Sequence, residues 1–341
     1  MSINAGIIGL GFMGRRYAEF LHKLEGVRVT AVCDIRPEIA QETAHAVGAQ
    51  VYTEAEALAT SPNVDAVFIC TPEDKHDAAA LAAIGSDKAV MIEKPVAHSL
   101  ESARSIMDAA ERKGALVMVG HLLRFEPRWA AARRAIAAGD IGDVLSIATR
   151  RVGNVLDQTI LRGRTTIPLY YGVHDLDIVR WFAGSEAETA FAVRRYGMLD
   201  GLGYPTHDVY FAVFEFANNI VVNAELGWHV PPSGLGAPTA GITVIGTKGC
   251  IHIDQGNTGF RVWTESGQSA VHPVIDVTFW PEVHSVPGGA LANELSHFVH
   301  CAQTGTTPII SLRDGFEALR LSLAMEASAE RQQVIRLAEF A

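Results

Sequence analysis

The 341-residue sequence is poor in cysteine: Cys33, Cys70, Cys250 and Cys301 are the four present, and no two of them form a C-x-x-C pair. That spacing excludes a zinc ribbon and a dithiol redox motif. Three of the four lie in or beside apolar strand-like stretches, which suits reduced core thiols in a cytosolic protein. Long apolar runs are missing too, and none approaches the roughly 20 residues that cross a bilayer. The start, Met1-Ser2-Ile3-Asn4-Ala5-Gly6, lacks the basic and apolar regions of a signal peptide, so a cytoplasmic location is expected. There is no basic run, and 28 Lys+Arg against 38 Asp+Glu leave a net charge of -10. Such a surface repels a phosphate backbone and an anionic membrane alike, so neither nucleic acid nor a membrane is an expected partner.

What is present is an ordinary globular composition, 48% hydrophobic and 19% charged, in a chain long enough for two cores. From Ile3 to about Ile147, short apolar runs alternate with helical patterns: Ile3 to Ile8, Val27 to Cys33, Val64 to Cys70, Ala89 to Ile92 and Ala115 to Val119. Runs apolar on both faces and separated by helices predict a doubly wound parallel sheet. Ser99 reads as an N-cap and Gly114 as the end of its helix; Pro127 and Gly139 bracket the next. After about Val144 the texture turns to period-2 alternation with short turns, over Val209 to Phe216, Ile220 to Leu226, Ile242 to Ile245 and Cys250 to Asp254. This predicts a mainly antiparallel sheet, closed by two amphipathic helices, Leu291 to Thr304 and about Arg313 to Leu337. The expected fold is therefore α/β: an N-terminal Rossmann doubly wound parallel sheet over residues 1–123, and a C-terminal α+β domain with a large, mainly antiparallel open sheet over 124–341.

Gly9-Leu10-Gly11-Phe12-Met13-Gly14 follows the first apolar run and opens a helix, with Asp34 standing 20 residues beyond at the end of the second run. Gly9 permits the tight turn, Gly11 the approach of a pyrophosphate and Gly14 close packing of helix on strand. The helix N-terminus faces the phosphates, and a carboxylate at Asp34 accepts from the ribose hydroxyls. Dinucleotide binding is the reading. Asp34 repels a 2'-phosphate and so favours NAD over NADP, whereas Arg36 is open to two readings, an adenine or phosphate contact and a solvated loop arginine.

Thr71-Pro72 and Glu93-Lys94-Pro95 fall just past strand ends, where open parallel sheets bind ligands. Together with His76, Gly120 to Pro127, Gly172-Val173-His174-Asp175-Leu176-Asp177 and Val244 to Gly249, they follow one another in an order that resembles the glucose-fructose oxidoreductase, inositol dehydrogenase and MocA oxidoreductases over nearly the whole chain. The resemblance implies a hydride-transfer enzyme with Lys94 and His174 as catalytic residues. Phe12, Met13, Thr71, Pro72, His76 and Glu93 would complete the cofactor contacts. A lysine suits this work because cofactor charge and partial burial lower its pKa, and a histidine titrates near neutrality already. It also implies a homodimer or homotetramer and a sugar or polyol substrate.

One position departs from that family's pattern, which commonly has an aspartate four residues before the histidine; here it is Tyr170. Tyr170, Asp177, Arg124, His121 and Arg162 are the candidate substrate contacts, each also open to a purely structural reading. Pocket-forming loops are expected at roughly 153–171 and 228–240. His297 and His300 have helical metal-ligand spacing but no third ligand, so no metal is expected. Two other readings stay open: reduction of another cyclic substrate, an imine or a biliverdin-like ring, and a non-catalytic NAD-binding regulatory protein.

Overall fold

The structure is a computed structural model that describes residues 2–155, 161–231, 239–254 and 278–340. The chain forms two compact units, one of residues 1–125 with 282–319, the other of 126–281 with 320–341.

In the first unit, β1 (Ile3–Ile8), β2 (Val27–Cys33), β3 (Gln50–Tyr52), β4 (Ala66–Ile69), β5 (Ala89–Glu93) and β6 (Val117–Gly120) form a sheet in the order β3-β2-β1-β4-β5-β6. Every neighbouring pair is parallel. β4 and β6 are buried at every residue, which is why they read as unbroken apolar runs. The helices between them are α1 (Phe12–Lys23), α2 (Pro37–Val47), α3 (Ala55–Ala59), α4 (His76–Gly85) and α5 (Leu100–Lys113). α1 buries Gly14, Tyr17, Ala18 and Leu21, one stripe of a 3.6-residue period. Ser99 Oγ accepts the N–H of Ser102 at the start of α5, and Gly114 ends that helix at φ 59°. The strand order reverses between β1 and β4, so the turns after β1, β4 and β5 sit at the switch point where such sheets bind ligands.

The sequence missed β3. It is three residues long and has no fully buried residue, so no pattern marks it. Residues 282–319 belong to this unit because the helix within them packs on its core: the Phe298 ring meets Phe68 of β4 edge-on at 5.2 Å.

The second unit opens with α6 (Pro127–Ala138), whose N-cap Glu126 accepts the Trp129 N–H and whose end is Gly139 at φ 76°. Its strands are β7 (Val144–Asn154), β8 (Ala187–Arg195), β9 (Val209–Phe216), β10 (Val221–Val230), β11 (Thr239–Gly246) and β12 (Cys250–Asp254). Among the described residues they form a seven-stranded sheet with a final short strand, Ile335–Arg336, in the order β12-β11-β7-β10-β9-β8 and then that strand. The sheet is mainly antiparallel as expected, but β7 runs parallel to β10. The last long helix stops at Arg331, short of the expected Leu337: Gln332 takes φ 53° and the chain turns to pair Ile335 with Ala190 of β8. No helix among the described residues is long and apolar enough to cross a membrane.

One face of this sheet carries apolar side chains in the open. Phe191 is paired with Val213 and Val193 with Phe211 across β8 and β9, all 41–53% exposed.

Candidate functional site

In the first unit, each glycine of the fingerprint does a separate job. Gly9 has φ +88°, and a Cβ there would lie 2.7 Å from the Cys70 carbonyl carbon and the Thr71 nitrogen. At Gly14 a Cβ would lie 1.8 Å from the Gly9 carbonyl oxygen, so helix and turn touch only because no side chain intervenes. A Cβ on Gly11 would meet nothing within 4 Å. That open space at an uncapped helix start is where a pyrophosphate fits. Phe12 stays 57% exposed with the Arg16 guanidinium over its ring at 4.6 Å, and Met13 follows in the same first turn. Thr71 Oγ1 is buried and has no hydrogen-bond partner among the described residues, a second feature open to a polar ligand.

Asp34 ends β2 as expected, and its carboxylate is closely held. Oδ2 accepts the Leu10 N–H at 2.7 Å, while Arg36 reaches Oδ1 with its backbone N–H at 2.9 Å and its Nε at 3.0 Å, and Oδ2 with its second guanidinium nitrogen at 3.2 Å. Burial pushes the carboxyl pKa up. The Arg36 side chain and the Arg36 and Leu10 N–H groups outweigh it and hold Asp34 below the usual carboxylate range. Arg36, its side chain half-exposed, is paired to Asp34.

Lys94 is half-buried in the turn after β5. Behind it, the buried Glu93 Oε1 accepts the Tyr17 hydroxyl of α1 at 2.7 Å and Oε2 accepts the Lys94 backbone N–H at 3.1 Å. Burial raises the Glu93 pKa, against the Lys94 charge and these two hydrogen bonds. Tyr17 lies among the buried residues of α1, and its hydroxyl has a partner the sequence did not reveal; a buried tyrosine needs one, and that need is the available signal. His76 is 1% exposed, with Nε2 2.8 Å from the Thr71 carbonyl oxygen and Nδ1 3.0 Å from that of Pro95, while Pro72 joins the Thr71 turn to a short 3-10 turn ahead of α4. His121 is likewise buried, at 1%. Arg124 is buried and donates to Asp314 Oδ1 at 3.1 Å. His297 accepts the Ile309 N–H at 3.0 Å, and no group of metal-ligand side chains is found among the described residues.

The second unit holds the remaining candidates. Residues 168–172 form a π-helical turn rather than the expected irregular loop, leading into α7 (Val173–Ala183). The turn lies tight on β10, since a Cβ on Gly172 would sit 2.7 Å from Leu226 Cδ1. π turns recur at functional sites because they re-aim side chains relative to the helix that follows. His174, half-buried, is in the first turn of α7, and Asp177 is fully buried one turn later. Tyr170 packs with Tyr171 and Trp228, which bound the two expected pocket loops: ring centroids are 5.4 Å apart for Tyr170 and Tyr171, 5.7 Å for Tyr170 and Trp228, and 5.4 Å for Tyr171 and Trp228. Arg162 is exposed, at φ 53°. Of the expected pocket loops, residues 156–160 and 232–238 lie outside the described residues.

Comparison with known proteins agrees with this geometry. Residues 3–121 match the oxidoreductase family's NAD-binding Rossmann fold, and residues 133–337 match that family's C-terminal alpha/beta domain. Inositol 2-dehydrogenase 2 of Saccharopolyspora erythraea is 34% identical over 66% of this chain and 67% of its own. The 2,7-anhydro-N-acetylneuraminate hydratase of Escherichia coli is 29% identical over 79% of this chain and 73% of its own. Among solved structures, scyllo-inositol dehydrogenase from Lactobacillus casei with bound NAD(H) and scyllo-inositol superposes with a TM-score of 0.84 over 99% of this chain and 100% of that one, at 21% identity. Glycine turn, Glu93-Lys94-Pro95 turn and second sheet together make this chain a member of the GFO/IDH/MocA oxidoreductase family.

Proposed function

We propose that this protein is an NAD-dependent dehydrogenase that moves a hydride between the nicotinamide and a secondary hydroxyl or keto group of a sugar, inositol or related polyol. The observation that carries the reading is Lys94, fixed by its Glu93 and Pro95 neighbours at the carboxyl edge of a sheet whose glycine turn is open for a pyrophosphate. The inositol dehydrogenases among its relatives support the substrate class.

When bound, the nicotinamide supplies the hydride acceptor. Lys94 Nζ and the His174 ring are the groups that hold and move the hydroxyl proton, so that loss of hydride from carbon and of a proton from oxygen leaves a ketone. Gly9, Gly11 and Gly14 seat the phosphates. Asp34 accepts from the ribose once the Arg36 side-chain donors shift on its carboxylate, and Thr71, Pro72, Phe12 and Met13 are the remaining residues proposed for the same edge. Tyr170 and Asp177 orient the substrate ring without a second proton relay, since a tyrosine hydroxyl stays neutral near pH 7. His121 and Arg162 are the outlying candidates. Arg124 is tied to Asp314 through its side chain. The exposed pairs on β8 and β9 form the interface of a homo-oligomer.

NAD is the proposed cofactor. The Arg36 guanidinium is spent on Asp34, so the pair presents no net positive charge to a 2'-phosphate. Catalytic efficiency is expected to favour NAD⁺ over NADP⁺ by at least about tenfold, and Asp34→Ser, which frees Arg36, is expected to narrow that gap. A wild-type preference for NADP⁺ in steady-state kinetics would overturn the assignment. The Tyr170, Tyr171 and Trp228 cluster favours one second reading, reduction of a flatter cyclic substrate that stacks on those rings. A panel of sugars and polyols with NAD⁺ separates the two.

A further inference from the structure

His76 does not behave as a ligand-contacting residue. At 1% exposure it has no surface to offer, and both ring nitrogens are directed at main-chain oxygens. Those oxygens belong to two different turns. Thr71 follows β4 and Pro95 follows β5, and the two strands are direct neighbours, with Ile69 opposite Ile92. The imidazole therefore bridges adjacent turns at the edge where the cofactor is expected. The Lys94 turn is also tied through Glu93 to Tyr17 on the glycine-turn helix.

Both partners of the ring are acceptors, and a neutral imidazole has one N–H to give. Burial lowers the His76 pKa, while the Thr71 and Pro95 carbonyls pull the other way. The two contacts are thus chemically separable: the Nδ1–H tautomer serves Pro95 and the Nε2–H tautomer serves Thr71. An asparagine amide places its nitrogen near Nδ1, and a glutamine amide near Nε2.

We propose that His76 is a positioning residue that ties the Lys94–Pro95 turn through Nδ1–H in one tautomer and the Thr71–Pro72 turn through Nε2–H in the other, its Nδ1 side setting Lys94 and its Nε2 side setting the cofactor edge at Thr71. The effect on turnover rests on the role given to Lys94 above; the effect on the two turns does not.

The test compares His76→Asn with His76→Gln. In the protein without cofactor, hydrogen exchange read by mass spectrometry should quicken about tenfold, the loss of one buried hydrogen bond, around Thr71 in His76→Asn and around Val96 in His76→Gln. NAD⁺ titrated by fluorescence should bind His76→Asn several-fold more weakly, roughly 5-fold, and His76→Gln within about twofold of wild type. Turnover should show the reverse split, falling about tenfold or more in His76→Gln and staying within about threefold in His76→Asn. Equal effects of both amides on both turns, or none on either, would overturn the proposal. His76→Ala loses both ties; if it does not fold, the amide pair still decides. A wild-type protein inactive on every sugar and polyol would remove the proposed function, yet exchange and titration would still judge His76.

Discussion

Lys94→Ala is expected to lower turnover by about 10²- to 10⁴-fold, the range for a positioned acid-base group, while NAD⁺ affinity stays within a few-fold. The separation follows from where the residues sit. The cofactor's phosphates and ribose are assigned to the glycine turn and Asp34, while the Lys94 backbone N–H is held by Glu93 and the Pro95 carbonyl faces His76. These backbone ties do not depend on Nζ. His174→Ala should also reduce turnover, but no more than Lys94→Ala, because position 170 offers a tyrosine and not a carboxylate to tune the imidazole. Steady-state kinetics on both variants, with NAD⁺ affinity measured separately, checks this. Near-normal turnover in both would move the chemistry to Tyr170 and Asp177.

Gly14→Ala and Gly11→Ala are expected to fail in different ways. A methyl at residue 14 meets the Gly9 carbonyl at 1.8 Å, and that backbone cannot yield without moving the start of α1. Overpacking of this kind costs about 1–3 kcal/mol or more and should lower the thermal midpoint by about 5 °C. It should also weaken NAD⁺ binding strongly, because the helix start that cradles the phosphates moves. At residue 11 a methyl meets no protein atom within 4 Å, so the thermal midpoint should stay within about 1 °C of wild type. The same methyl occupies the approach of the pyrophosphate, and NAD⁺ affinity should fall about tenfold or more. If Gly11→Ala bound NAD⁺ normally, the space beside the turn would not be the phosphate seat.

The first unit was legible because its physics is local. Strands buried on both faces leave unbroken apolar runs, Gly9 and Gly14 answer to close backbone approaches, and Ser99 and Gly114 mark helix ends by their own chemistry, as Pro127 and Gly139 do at the start of the second unit. Where the structure added something, the cause lies outside any short window of sequence. β7 pairs parallel with β10 across some 70 residues, which alternation alone does not reveal. The π turn at 168–172 is a matter of backbone hydrogen bonding, invisible in side-chain periodicity, and it gathers Tyr170 and Tyr171 against a tryptophan from a distant strand. His76 was recognisable as a motif residue, but its partners are two main-chain oxygens, so its manner of action appears only in the fold. Arg36 was undecided from sequence because its pairing with Asp34 depends on the conformation of the turn between them.

The most direct test of the proposed activity is a panel of inositols, monosaccharides and related polyols incubated with NAD⁺ and, separately, NADP⁺, followed at the absorbance of the reduced nicotinamide. The account predicts NAD⁺-linked formation of reduced cofactor with at least one cyclic polyol or sugar, abolished or nearly so in Lys94→Ala. A panel on which the wild-type protein reduces no cofactor, while binding NAD⁺ normally, would contradict it.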